Sequence, residues 1–167
     1  ATGGPPILQS GMSGAADTWV CTKVSPQVFL IGKAYVGPEN ETATGPNFVR
    51  QYEITLDIAK GQTVGGGANP LRVSDCMPDG MVYRGNLDST LPGYSPPTLP
   101  VDAAGGCLTL VWPNAVVGGP GSDATITFDF SIAEKFANGR LILENDCKHR
   151  LLNNALRASG EWDPVDG

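Results

Sequence analysis

The chain has 167 residues, of which 22 are glycine and 14 are proline, while only 17% are charged. Its net charge is −6 and its 11 lysine and arginine residues are scattered, which argues against binding to nucleic acid or to an anionic membrane surface. No apolar run reaches the length of about 18 residues that a membrane-spanning helix needs, so this segment is not expected to insert into a membrane.

The first half of the chain alternates between turn-rich and strand-like segments. Residues 1–16 are small, glycine-rich and aperiodic, which predicts a flexible arm or linker, and residues 17–24 are compatible with a first short strand. Residues 28–36 (VFLIGKAYV) are rich in β-branched and aromatic residues and predict a strong strand. After a loop, residues 48–59 alternate between polar and apolar side chains, which is typical of a half-buried strand.

Five further segments have the composition and the flanking turn residues of short strands: residues 71–77, 81–85, 107–113, 124–133 and 149–162. Pro78-Asp79-Gly80 predicts a turn between the first two. Residues 134–146 are compatible with either a turn of helix or a short strand. About eight strands without a convincing helix predict an all-β fold, an antiparallel two-sheet immunoglobulin-like β-sandwich with long loops, over residues 17–162. Residues 163–167 are expected to be a linker to a following segment.

The four cysteines, Cys21, Cys76, Cys107 and Cys147, are widely spaced and form no CxxC pair, which argues against a zinc or redox site. Their even number and the turn-rich composition favour two disulfides in an extracellular, cell-surface or secreted protein. Four buried free thiols are the alternative.

The residues that ordinary catalysis requires are scarce. The one histidine, His149, lies between Lys148 and Arg150 and is expected to be solvated. No nucleophile elbow, zinc-protease helix or phosphate-binding loop is present, and the acidic residues lack the spacing of a calcium loop. The chain is therefore not expected to be an enzyme, and no metal or cofactor is predicted.

Three polar residues stand in line with apolar neighbours on predicted strands: Lys33, Asp75 and Asn153. One interpretation is that each lies at a strand edge or at the end of a sheet and is exposed to solvent. The other is that the three meet inside the sandwich. A buried lysine without a counter-charge loses its proton readily, and a buried aspartate holds one. A neutral amine can then attack the asparagine amide, release ammonia and leave a Lys–Asn isopeptide bond.

Six segments carry a resemblance to a known group of domains: FLIGKAYVG (29–37), VRQYEITLDIAKGQT (49–63), LRVSDCMPDGMVYRG (71–85), LTLVW (108–112), SDATITFDFSIA (122–133) and LLNNALRASG (151–160). In this order they resemble the repeat domains of bacterial surface proteins and the isopeptide-forming, immunoglobulin-like domains of pilins and adhesins. The resemblance spans about residues 28–160.

That resemblance implies a reacting set of Lys33 on the first long strand, Asp75 as the promoting acid, and Asn153 of the "N-x-A" segment. Asn154 is a possible substitute for Asn153, but it is expected to point to the opposite face from Leu151 and Ala155. Four cysteines are unusual for this group, and the proline-rich loop 86–106 and the segment 134–148 are long for it.

Two disulfide pairs are expected in such a sandwich. Cys76 and Cys107 border neighbouring central segments, and Cys21 and Cys147 precede the first long and the last strand, which this fold places side by side.

The expected function is a structural or adhesive module of a bacterial surface or fimbrial protein, whose partners are the neighbouring domains of the same protein. The alternative is a module that binds a glycan or protein ligand through the loop 86–106 and an exposed aromatic residue such as Tyr94.

Overall fold

The computed structural model describes residues 27–36, 47–142 and 152–163 of the chain. These residues form nine strands and no helix, so the prediction of an all-β fold is confirmed. The strands are β1 (Phe29–Val36), β2 (Arg50–Ile58), β3 (Thr63–Val64), β4 (Leu71–Ser89), β5 (Ala104–Trp112), β6 (Val116–Val117), β7 (Ala124–Ile132), β8 (Ala155–Ser159) and β9 (Trp162–Asp163).

Two layers are built from one antiparallel hydrogen-bonded sheet in the order β1-β2-β7-β4-β5, with β8 also paired to β4. The long strand β4 belongs to both layers. Its first part, Leu71–Met77, pairs with β5 and β8, and its second part, from Met81 onward, pairs with β7. One layer therefore holds β1, β2, β7 and the second part of β4, and the other holds β8, the first part of β4 and β5.

The predicted turn at residues 78–80 is wrong, because β4 continues through it. The pairing register between β4 and β5 shifts between Met77 and Val82, and Gly80 has a φ of 91°, a conformation that glycine adopts without strain. A Cβ atom at this position would lie 2.6 Å from Cδ1 of Ile142. The sequence signal for a turn thus marks the bulge at which β4 passes from one layer to the other.

A single hydrophobic core fills the space between the layers. Its buried side chains come from the inward faces of β2, β4, β5 and β7, and they include Ile54, Leu56, Val73, Leu108, Leu110, Ile126 and Phe128. Polar residues occupy the alternate positions of β2 and β7, as expected for strands that face water on one side.

The start of β1 and the end of β9 lie at the same end of the sandwich. The backbone N–H of Ala59 donates to the carbonyl of Val28, just before β1. Four residues later along the same turn, Thr63 of β3 pairs with Asp163 of β9. The small sheet β6-β3-β9 closes this end and was not predicted. Its strands β3 and β6 have two residues each and lie in glycine-rich segments, and β9 begins at the last residue of the predicted strand 149–162.

Other predictions fall partly or wholly outside the described residues. The arm 1–16, the strand 17–24, Cys21, Cys147 and His149 are not among the residues that the structure describes. Of the predicted linker 163–167, Asp163 belongs to β9 and the other residues lie outside the described ranges. The described part of the ambiguous segment forms a narrow loop closed by a bridge between Lys135 and Leu141, and it contains no helix.

Candidate cross-linking site

Lys33 enters the sandwich because of the period of two along β1. Phe29, Ile31 and Lys33 are half-buried, whereas Leu30 and Ala34 on the other face are exposed. Only 15% of the Lys33 side chain is accessible, and its Nζ atom contacts Oδ2 of a carboxyl group from the opposite layer, that of Asp75. Lys33 therefore lies on the inward face of β1 in contact with Asp75, which corresponds to the interpretation in which the polar residues meet inside the sandwich.

Asp75 is one of the most deeply buried residues of the domain. It shares the inward face of β4 with Val73 and Met77, and it is 1% exposed. Its Oδ2 atom accepts a hydrogen bond from Lys33, whereas Oδ1 has no hydrogen-bond partner among the described residues. An unsatisfied buried oxygen costs about 1–3 kcal/mol, so this position is not explained by stability alone.

The asparagine beside Asp75 is Asn154, not Asn153. On β8, Leu156 lies opposite Asp75, and Leu152, Leu156 and Ala158 pack against the core. Asn154 belongs to this inward series, whereas Asn153 is exposed. The sequence-based assignment took the wrong phase of the alternation, because leucine and alanine occur on both faces of this segment and regular strand begins only at Ala155.

The side chain of Asn154 approaches the carboxyl group of Asp75 without forming a well-aligned hydrogen bond. Burial raises the pKa of Asp75, and the nearby Asn154 side chain opposes this rise less than Lys33 does. Yet Nδ2 and Oδ1 of Asn154 are both buried without a partner of good geometry among the described residues. Natural cores leave few polar atoms unpaired, so a buried amide without a hydrogen-bond partner calls for a specific explanation.

Aromatic rings contact the Lys33 amine on the side of β2 and β7. The Nζ atom is 3.6 Å from the centroid of the Tyr52 ring and 5.5 Å from that of Phe128. Tyr52 stacks on Phe130, with the ring centroids 4.0 Å apart and the planes 8° from parallel. Sequence reasoning missed Tyr52, although its place two residues before Ile54 on the inward face of β2 was a usable signal.

Burial shifts the pKa of both groups of the pair in the direction of their neutral forms. Burial lowers the pKa of Lys33, against the opposing hydrogen bond and charge of Asp75. Burial likewise raises the pKa of Asp75, against the opposing hydrogen bond and charge of Lys33. A proton that passes from Nζ to Oδ2 across their direct contact leaves a neutral amine beside a neutral carboxylic acid.

The strands that carry the three residues are arranged around one point. Because β8 pairs with the first part of β4 and also lies against β1, Asn154, which directly precedes β8, and Lys33 of β1 approach the Asp75 carboxyl from different segments. The site thus combines a desolvated amine, a carboxyl group and an amide, which are the groups needed for amide exchange.

The disulfide between Cys76 and Cys107 is present, as predicted. The two residues are directly opposite each other in the β4–β5 pairing. Their neighbours Asp75 and Leu108 are buried, so the cysteines belong to the outward face, where Cys107 is exposed. The predicted pair of Cys21 and Cys147 lies outside the described residues.

Tyr94 does not project as an exposed anchor for a ligand. It is half-buried and packs against Trp112, with the ring centroids 5.9 Å apart. The loop around it is held to β5, because the N–H of Ser95 donates to the carbonyl of Val111 and Nε1 of Trp112 donates to the carbonyl of Leu91. The loop is also shorter than predicted, since β4 continues to Ser89.

Two findings concern the described ranges 27–36, 47–142 and 152–163. No group of three or more histidine, cysteine or acidic side chains is arranged to hold a metal ion. No helix in these ranges has the length and apolar character needed to cross a membrane.

Comparison with models of known protein families and with curated proteins finds no match to this chain.

Proposed function

We propose that the chain is a structural or adhesive module of a bacterial surface or fimbrial protein, and that it stabilises itself with an isopeptide bond between Lys33 and Asn154. One observation carries the proposal: a half-buried lysine contacts a fully buried aspartate, beside a buried asparagine amide without a well-aligned partner. The resemblance of residues 28–160 to isopeptide-forming pilin and adhesin domains gives this chemistry its biological setting.

The reaction is an amide exchange in which all atoms are accounted for. The neutral Nζ of Lys33 attacks Cγ of Asn154, while the protonated carboxyl group of Asp75 polarises the amide carbonyl. The Nζ–Cγ bond forms, the Cγ–Nδ2 bond breaks, and Nδ2 leaves as ammonia with a proton that originates from Nζ. Asp75 ends the reaction in the protonation state in which it began, so it is a promoter of a single turnover within its own chain.

Exposure to an oxidising compartment fits the same function. The Cys76–Cys107 disulfide is compatible with a location outside the cytoplasm, where such bonds persist. In this setting the domain is a link between neighbouring domains of the same surface protein, and its covalent cross-links replace part of the stability that non-covalent contacts provide elsewhere.

Peptide mapping tests the proposed bond at residue level. Trypsin cannot cleave after an acylated Lys33, so the bonded protein yields a branched peptide in which residues 24–50 are joined to residues 151–157. Fragmentation of the branched peptide assigns the junction to Asn154. Recovery of a free 151–157 peptide, together with cleavage after Lys33, would contradict the proposal.

Lys33→Met is the matched control for this experiment. It removes the nucleophile while keeping a long, mainly apolar side chain in the same place, so the fold is retained without the bond. The variant should yield no branched peptide, and it should be digested by protease at lower temperature than the wild-type protein.

A further inference from the structure

We propose that Tyr52 is a positioning residue for the Lys33–Asn154 bond, which holds the lysine amine against the Asp75 carboxyl group through the face of its ring. This inference rests on the proposed function, since it concerns the rate of the same reaction. It goes beyond that function because it assigns a role to a residue outside the reacting set of lysine, aspartate and asparagine.

The Lys33 amine lies between the Asp75 carboxyl group and the face of the Tyr52 ring. Oδ2 of Asp75 contacts Nζ, and the Tyr52 ring covers Nζ at 3.6 Å from its centroid. A lysine side chain has four rotatable bonds and loses up to about 2 kcal/mol of conformational free energy when it is fixed. A ring that restricts Nζ to the vicinity of Asp75 supplies this ordering before the reaction begins.

The Tyr52 ring is itself held rigidly. It stacks on Phe130 at 4.0 Å and meets Phe128 at 5.9 Å with the planes inclined by 51°. Phe128 is fully buried, and it lies directly opposite Tyr52 in the β2–β7 pairing. The ring is therefore held against the core by Phe128 and Phe130 of its own layer, and these contacts do not involve the lysine.

The ring also keeps water from one side of the amine. Burial is the main cause that lowers the pKa of Lys33, and the Tyr52 ring is the nearest aromatic face to Nζ among the contacts of this site. The titratable groups that face Lys33 are Asp75 on β4 and Tyr52 on β2. Burial is the main cause that raises the pKa of Tyr52, and the charges of Asp75, Arg50 and Tyr35 have smaller effects on it. The contacts of Tyr52 with Nζ, Phe128 and Phe130 are made by its ring, so the proposal assigns the positioning role to the aromatic face.

The rate of bond formation in the full chain tests this role. The chain is synthesised in vitro, samples are quenched in denaturant and reduced, and intact mass gives the fraction that has lost ammonia at each time. Tyr52→Phe keeps the ring face and should react at close to the wild-type rate. Tyr52→Leu removes the face and should react at least about tenfold more slowly, because small displacements of a reacting group have large effects on rate.

A pH profile and two controls separate positioning from general stability. In Tyr52→Leu water reaches Nζ, so the rise of the rate with pH should move to higher pH, whereas Tyr52→Phe should keep the wild-type profile. Tyr94→Leu removes another half-buried tyrosine that packs on an aromatic partner, Trp112, and it should leave the rate unchanged. Melting temperatures in an Asn154→Ala background, in which no bond forms, show whether each variant still folds.

The outcomes distinguish this inference from the proposed function. A wild-type chain that never loses ammonia would overturn both. A wild-type chain that reacts, with a Tyr52→Leu variant that folds and reacts as fast, would overturn the role of Tyr52 alone. A Tyr52→Phe variant as slow as Tyr52→Leu would also overturn it, because the hydroxyl group and not the ring face would then be responsible.

Discussion

Oδ2 of Asp75 contacts Nζ of Lys33 across the interior of the sandwich, and the two residues come from different layers. Ion pairs buried in this way lose much of their Coulomb attraction to desolvation, and replacing them with apolar residues often stabilises a protein. The burial of both groups at this site lowers the pKa of one and raises that of the other. A contribution to stability alone therefore does not explain this pair, and the amide exchange that we propose gives it a role.

Substitution of the two adjacent asparagines should give opposite results. Asn154→Ala removes the reacting amide, so the variant should have the full mass of its own sequence and should lack the cross-link. A bond that closes a loop of about 120 residues contributes on the order of 4–5 kcal/mol in the chain-entropy treatment of cross-links, and the free energy of unfolding should fall accordingly. Denaturant titration combined with intact mass measures both effects.

Asn153→Ala is the matched control, because Asn153 is exposed. This variant should still form the bond, and its free energy of unfolding should stay within about 0.5 kcal/mol of the wild-type value. Loss of the bond in Asn153→Ala, with retention in Asn154→Ala, would restore the assignment made from the sequence.

The pH dependence of stability should reveal the Lys33–Asp75 pair in an unbonded variant such as Asn154→Ala. The pKa of Asp75 is raised from 3.8, so the folded state binds more protons than the unfolded state just above that value, and stability falls as pH rises through this window. The pKa of Lys33 is lowered from 10.5, so the unfolded state binds more protons just below that value, and stability rises with pH there. Stability should therefore pass through a minimum between the two windows.

The double substitution Lys33→Met, Asp75→Asn removes both titrating groups and serves as the reference for this pH experiment. Denaturant midpoints measured at a series of pH values should show no such minimum in this variant. A minimum of equal depth in both proteins would assign the effect to other groups.

The Cys76–Cys107 disulfide should stabilise the domain independently of the isopeptide bond. It closes a loop of 31 residues, for which chain entropy gives about 3–4 kcal/mol. Because Cys107 is exposed, mild reductant should open the disulfide in the folded protein. The double variant Cys76→Ala, Cys107→Ala should have a free energy of unfolding that is lower by this amount. Its intact mass should still show the loss of one ammonia. A full mass would mean that the site depends on the disulfide.

Pulling on the domain should extend it only slightly when the isopeptide bond is present. Val28 and Asp163 flank the same turn, so force applied there peels β1 and β8 from one end. With the bond in place, only about 14 residues lie between the pulling points and the cross-link, which corresponds to an extension of roughly 50 Å. The strands between Lys33 and Asn154 carry no load.

Lys33→Met provides the comparison in single-molecule force measurements, with Cys21 and Cys147 replaced by serine in both proteins. Without the bond, the remaining disulfide still removes a loop from the extending chain, and complete unfolding should give roughly 350 Å. An extension of that length in the wild-type protein would show that the two strands are not covalently joined.

Much of the site could be predicted from the sequence because strand periodicity is strict where a strand is regular. Lys33 lies within an eight-residue strand and Asp75 within an alternating one, so each inward position followed from its apolar neighbours. The Cys76–Cys107 pair followed from the adjacency of central strands. Asn154 was assigned to the wrong face because the residues before Ala155 are not yet regular strand, and the alternation has no fixed phase there.

Other features depend on tertiary contacts that the sequence does not display. The bulge at Gly80 resembles a turn in sequence, and only the close approach of Ile142 distinguishes the two. Tyr94 has the surroundings of an exposed loop residue, but packing against Trp112 and the hydrogen bonds of the loop to β5 hold it against the core. Local composition specifies neither contact.

The intact mass of the fully reduced protein tests the central claim most directly. We predict that the wild-type mass is lower than the sequence mass by one ammonia, and that Asp75→Ala, Asn154→Ala and Lys33→Met each have the full mass of their sequence. A loss of one water instead would indicate an amide between Lys33 and Asp75, and it would contradict the role of Asn154. A wild-type mass equal to that of the sequence would mean that no bond forms and would contradict the account.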